Sequence, residues 1–181
     1  MPNDVLAPLH SEFRLKMREL VRICLEDGVT ILPYCGIRLC SEQAKLFRQS
    51  RALKEIEKRA QSLRDRDFGF LAQILLDVGP QPGALGRHVT NAGPGESWHQ
   101  YAMAADCVPV RLGKAVWEGD DPAWKVYGSA AKHVGLTWAG EWVSFREMPH
   151  VQLYAASSPM KQWAGHADMI EQILKDVGAL G

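Results

Sequence analysis

Two of the six histidines in this sequence stand where they could do chemistry. His99 lies in Glu-Ser-Trp-His-Gln-Tyr-Ala-Met-Ala-Ala-Asp at 96–106, which ends on Asp106, and His150 closes Glu-Met-Pro-His at 147–150. Two imidazoles and a carboxylate offer the nitrogen and oxygen donors that suit a catalytic zinc ion with one position left open to water. Glu147, three residues before His150, could take a proton from that water. The residues alone leave another reading open. A chain with several histidines brings some His/Asp pairs together by chance, and a lone pair of that kind is usually a structural hydrogen bond.

The small apolar run Ala102–Ala105 reads as a turn entering a buried strand over 102–110. His150 and Glu147 sit at the start of another strand, and Pro149 excludes a helix interior there. Residues 79–97 hold Gly79, Pro80, Pro82, Gly83, Gly86, Gly93, Pro94 and Gly95, which is a loop that delivers Ser97 and His99. Upstream, Leu9, Phe13, Met17, Leu20, Val21 and Cys24 carry helical spacing over 9–27, with Gly28 as a stop. Val29–Ile37 is rich in β-formers but contains Pro33, so it reads as an irregular or edge strand, with Arg38 at its end. Ser41 could cap a helix over 42–65 whose buried stripe is Leu46 or Phe47, Leu53, Ile56, Ala60 and Leu63. Phe68–Val78 continues as a short helix. Asp121 and Pro122 make a helix start, with Trp124, Tyr127, Ala131 and Val134 inward and Gly135 as its end. Leu136–Trp138, Trp142–Phe145 and His150–Tyr154 read as short antiparallel strands, and Ser158-Pro159 opens a last helix ending at Gly178. Helices first, then a small antiparallel sheet crossed by a helix, is an α+β arrangement.

The chain has 181 residues, 46% of them hydrophobic, enough for one sizeable core and a single catalytic domain. Lys+Arg and Asp+Glu are equal at 21 each, which gives no argument for nucleic acid. Between Lys45 and Arg66 the basic residues Lys45, Arg48, Arg51, Lys54, Lys58, Arg59, Arg64 and Arg66 outnumber Glu55, Glu57 and Asp65. That excess reads as a solvated helical face or, alternatively, as an attraction to anionic envelope polymers. No apolar run reaches membrane-spanning length, and the N-terminus lacks the basic-then-apolar pattern of a secretory signal. Cys24, Cys35, Cys40 and Cys107 form no Cys-x-x-Cys pair and read as core thiols, with Cys107 facing away from Asp106.

Ser97-x-His99-x6-Asp106 followed by Glu147-x-x-His150 resembles the signature of the zinc D-Ala-D-Ala carboxypeptidase and L-alanyl-D-glutamate endopeptidase family, peptidase family M15. The surroundings resemble it too: Val89-Thr90-Asn91-Ala92 before the first motif, and Gly135-Leu136-Thr137-Trp138, Glu141-Trp142 and Phe145 before the second. The resemblance covers about 30–155, with the helices at 9–27 and 159–178 packed on that core. It implies the fold shared with the Hedgehog signalling domain, zinc held by His99, Asp106 and His150, and Glu147 as the catalytic base. Arg38, with Gln43 five residues on, matches the family's Arg-x4-Gln pattern, which implies that Arg38 neutralises a developing oxyanion and that Gln43 lies at the substrate. Ser97 and Glu141 are further expected substrate contacts; a turn role suits Ser97 equally. His88 shares the loop of Ser97 and stays a candidate. There are departures: Ala102 stands where the family has Gly, so a bend needing positive φ is harder. Leu39-Cys40 stands where a Ser commonly follows the Arg, and Glu147 replaces the Asp common among endopeptidases.

The function this implies is zinc-dependent cleavage of peptidoglycan stem peptides at L-alanyl-D-glutamate, by a phage or prophage endolysin of endolysin-like size. The expected molecule is a monomer, without nucleic-acid partner, membrane insertion or separate wall-binding domain. It would be made in the host cytoplasm and act on the wall in the periplasm after a membrane-permeabilising, holin-type partner opens the way. The alternatives are a D-Ala-D-Ala carboxypeptidase or dipeptidase, and a non-catalytic zinc module that binds wall.

Overall fold

A computed structural model describes residues 4–79 and 86–181. Pro80, Pro82 and Gly83 of the expected loop, and the first three residues, lie outside the described residues. The chain divides into two compact units, one of 1–37 with 102–155 and the other of 38–101 with 156–181.

The first unit holds the sheet. Helix α1 (Ser11–Glu26) leads to β1 (Thr30–Cys35). After the break come β2 (Ala104–Arg111), β3 (Lys114–Ala115), α5 (Pro122–His133), β4 (Thr137–Trp138) and β5 (His150–Gln152). The strands run in the order β1-β2-β5-β4, with β3 also paired to β2, and all pairings are antiparallel. The α+β expectation holds. Phe13, Met17, Leu20 and Cys24 make the buried stripe of α1, and Gly28 stops it at φ +76°. Asp121 caps α5 by accepting from the Ala123 N–H at 2.9 Å, with Pro122 at the first position. Both α1 and α5 pack on each other, α1 on β1 and α5 on β2, burying Trp124, Tyr127 and Ala131.

β1 is an edge strand, and it is irregular at Pro33. The register passes from Pro33 opposite Cys107 to Cys35 opposite Asp106, so Tyr34 is an extra, bulged residue. Proline supplies no N–H to the ladder and is tolerated at edges and bulges. Two expected strands differ. Residues 142–145 are not a strand; a short 3-10 turn occupies Ala139–Glu141, and Phe145 adopts φ +54°, outside the extended region. β5 stops at Gln152 instead of Tyr154.

The second unit is helical: α2 (Cys40–Arg48), α3 (Leu53–Arg64), α4 (Gly69–Asp77), the 3-10 turn Trp98–Tyr101, α6 (Pro159–Gln162) and α7 (Ala167–Asp176). The helix expected over 42–65 is two helices. Gln49 and Ser50 turn outward to Arg87 and His88, and Arg51 folds back to donate to the Phe47 carbonyl and to Thr90 O. Ser41 is inside α2, where the Glu42 carboxylate accepts from the Leu39 N–H at 2.8 Å instead. Phe47, Ile56, Ala60 and Leu63 are buried as expected, whereas Leu53 is exposed. The last helix is likewise divided, by Gly165 at φ +82°.

The basic run is not simply a solvated face. Arg48 and Arg51 are buried. Arg48 donates to the Leu75 and Leu76 carbonyls, and Arg51 also lies over the Phe47 ring at 3.8 Å. The Arg48 cation against the last carbonyls of α4 opposes the negative end of its dipole.

Candidate metal centre

Asp106 sits in the middle of the sheet. Side chains alternate along a strand, so Asp106 and Cys107 face opposite ways. Cys107 points to the helices: it is wholly buried, and burial pushes its thiol up to about 12 despite a hydrogen bond with Tyr127. The expectation for Cys107 therefore holds. On the other face, Asp106 has Cys35 directly opposite on β1 and His150 directly opposite on β5. Residues opposed across an antiparallel pair share a face, with Cβ atoms about 4.5–5.5 Å apart. His150 Nδ1 lies 3.1 Å from Asp106 Oδ1, and its Nε2 lies 3.1 Å from Gln152 Oε1. Gln152 in turn donates to Tyr154 O. Burial disfavours the charged imidazole, but the Asp106 carboxylate, the Glu147 charge and Gln152 outweigh it, and the pKa of His150 is raised.

The turn that ends in His150 is fixed from three sides. His150 N–H donates to the Glu147 carbonyl at 3.2 Å, closing the turn. Trp138 Nε1 donates to Met148 O at 2.7 Å, and both Tyr127 Oη and the Cys107 N–H donate to Pro149 O at 3.0 Å. Trp138 is itself held between two glycines: a Cβ on Gly128 would come within 2.2 Å of its ring, and one on Gly140 within 2.1 Å. Glu147 is half-buried, and its charge is felt at His150. Ala102 adopts φ +57° while buried, so the bend for which the family uses Gly is present here on an alanine.

His99 belongs to the helical unit, on the 3-10 turn Trp98–Tyr101, and is 2% exposed. Its carbonyl accepts from the Arg38 N–H at 3.3 Å. The turn is held by side chains. Glu96, buried, receives Arg59 through both carboxylate oxygens at 2.8 and 3.0 Å, Arg66 at 3.2 Å, and the Gly93 N–H at 2.8 Å. Tyr101 Oη donates to Gly95 O, Trp98 Nε1 donates to Ala156 O, and the Trp98, Tyr101 and Trp163 rings meet edge to face.

Arg38 Nη1 donates to Gln43 Oε1 at 3.0 Å, and the Gln43 amide donates to Thr90 Oγ1 and Ala92 O. Gln43 is fully buried, so the Arg-x4-Gln spacing has a physical basis: the amide ties Arg38 to the segment before the histidine motif. Ser97 is half-buried, its N–H donating to Gln100 Oε1. Glu141 is exposed and forms an ion pair with Lys132. His88 is exposed, between Ser50 and Asn91.

Three residues were not anticipated. Gln152 lies two positions past His150 on the same strand face, a period-2 relation that could have drawn attention to it. Glu96 adjoins Ser97, but its arginine partners, Arg59 and Arg66, lie at least 30 residues upstream. Cys35, expected as a core thiol, is half-buried and opposite Asp106, and its thiol and the Asp106 carboxylate offer ligand atoms within 4.8 Å.

A sheet rung of carboxylate and imidazole, with a glutamate one turn away, has the donor chemistry of a hydrolytic metal site. Residues 90–153 match the model of a family described as D-alanyl-D-alanine carboxypeptidase, of peptidase family M15. The peptidoglycan L-alanyl-D-glutamate endopeptidase CwlK of Bacillus subtilis (strain 168) is 23% identical over 161 residues, which is 84% of this chain and 75% of that protein. These matches support membership of the M15 family, and the matched segment contains His99, Asp106, Glu147 and His150. Among solved structures, the chain is similar to the Serratia marcescens L-Ala D-Glu endopeptidase ChiX at 20% identity and TM-score 0.44, over 83% of this chain and 84% of that one. It is also similar to a vancomycin resistance D,D-pentapeptidase VanY from a VanB-type cassette in complex with Zn(II), at 14% identity and TM-score 0.47, over 92% and 78%.

Proposed function

We propose that this chain is a zinc-dependent peptidase that cuts peptidoglycan stem peptides at the L-alanyl-D-glutamate bond, and that it serves as a phage or prophage endolysin. The observation that carries the reading is the Asp106–His150 rung with Glu147 at the head of the turn that delivers His150. The CwlK relative supports the choice of bond.

In this reading His99, Asp106 and His150 hold the ion. When bound, zinc would polarise the scissile carbonyl and acidify a water. Glu147 accepts the proton of the attacking water and passes it to the nitrogen of the leaving amine. Arg38 presents its guanidinium to the oxygen that gains charge, and Gln43 acts by orienting Arg38. Ser97 hydrogen-bonds the peptide; Glu141 meets a substrate amine only by releasing Lys132. The chain works as a monomeric, single catalytic domain, on the wall in the periplasm, after a holin-type partner has opened the membrane. Among the described residues no helix is long and apolar enough to cross a membrane.

The description of the matched family favours a second reading, a D-Ala-D-Ala carboxypeptidase. Mass spectrometry of peptidoglycan digested with the zinc-loaded protein separates the two. New amino-terminal D-glutamate is expected. Release of free D-alanine instead would favour the carboxypeptidase, and unchanged muropeptides would leave only a wall-binding module.

A further inference from the structure

The bulge at Tyr34 has a chemical consequence. In an unbroken antiparallel register, the residue after Pro33 would oppose Asp106, and Cys35 would fall opposite Ala105. The extra residue moves Cys35 one place, so that a thiol, a carboxylate and an imidazole stand side by side across β1, β2 and β5 on one face. Bulges are a known device for re-aiming a side chain beside a functional site. Of the four cysteines, Cys24, Cys40 and Cys107 are wholly buried, and burial pushes their thiols up to about 11, 12 and 12. Cys35 alone is half-buried and lies on the carboxylate face.

We propose that Cys35 is a metal ligand, giving the centre a soft sulfur donor beside Asp106 and His150. This rests on the metal-centre reading above. It departs from the all-nitrogen-and-oxygen set, because a thiolate favours zinc and still softer divalent ions such as cadmium. On binding, the Cys35 S–H bond breaks, the sulfur lone pair goes to the ion, and the proton leaves to solvent; no electron changes hands.

The test uses Co2+ alone in place of zinc, in the full chain and in Cys35→Ser and Cys35→Ala, each checked by circular dichroism. The native protein is expected to show cobalt d–d absorption together with a near-ultraviolet thiolate-to-cobalt charge-transfer band. Both variants should keep the d–d bands and lose the charge-transfer band, and should release one proton fewer on metal uptake. A charge-transfer band that persists in folded variants assigns it to another thiol and overturns the proposal. Cobalt d–d absorption without any charge-transfer band in the native protein overturns the Cys35 assignment and leaves the peptidase reading standing. No cobalt d–d absorption at all overturns both.

Discussion

Asp106 and His150 owe their positions to backbone, and His99 owes its position to side chains. The first two are opposed in an antiparallel ladder, so pairing β2 with β5 in register is enough to bring them together. The His99 turn has no ladder; a buried glutamate with two arginines, two hydroxyl and indole donors and three aromatic rings hold it. The lesson is that a rung survives most side-chain changes nearby, whereas a side-chain scaffold fails when one member goes.

The largest expected effect leaves both supports intact. Glu147→Gln should lower kcat by about 10²–10⁴-fold while zinc content is unchanged, the loss expected of a general base. Full activity in that variant would remove Glu147 from the chemistry. Next comes the scaffold. Glu96→Ala leaves two part-exposed guanidiniums and the Gly93 N–H without their acceptor and should destabilise by about 1–3 kcal/mol in urea unfolding, whereas Arg22→Ala, which removes an exposed pair with Glu19, should cost clearly less. Equal costs would erase the distinction drawn here. The rung has side-chain dependences too, in Tyr127 and the Trp138 wedge. Gly128→Ala should cost about 1–3 kcal/mol by overpacking, with a change in tryptophan fluorescence as the indole leaves Met148 O. The smallest effect is at Ala102. Ala102→Gly should raise stability by up to about 1 kcal/mol, because a left-handed residue with a Cβ is strained; a loss would mean that the buried methyl outweighs the strain.

The same contrast explains what was legible in the sequence. Features encoded locally could be read directly: the stripe of α1 with Gly28, the Asp121-Pro122 cap, and a strand expected over 102–110 and found at Ala104–Arg111, with Cys107 turned away from Asp106. The Asp106–His150 rung was legible only as two separate motifs whose types and spacing resemble one family's signature. What tertiary contacts decide could not be read. The only local mark of the break at Gln49–Ala52 is Glu55, which accepts from the Ala52 N–H at the start of α3; the contacts of Gln49 with Arg87 and of Arg51 with Thr90 are tertiary. Arg48 and Arg51 look like solvent-facing charges until α4 and the 90–92 segment are in place. Cys35 faces Asp106 because of a one-residue bulge, and a proline announces irregularity without saying which residue is displaced.

The central claim is that His99, Asp106 and His150 hold one ion. Its most direct test is the zinc content, by plasma mass spectrometry after dialysis, of the native chain and of His99→Ala, Asp106→Ala and His150→Ala, each shown to be folded. The account predicts stoichiometric zinc in the native chain, with affinity falling in every variant by more than the roughly 10–100-fold that losing an outer partner costs. A native chain that takes up no zinc, or folded variants that bind it as tightly as the native chain, would contradict it.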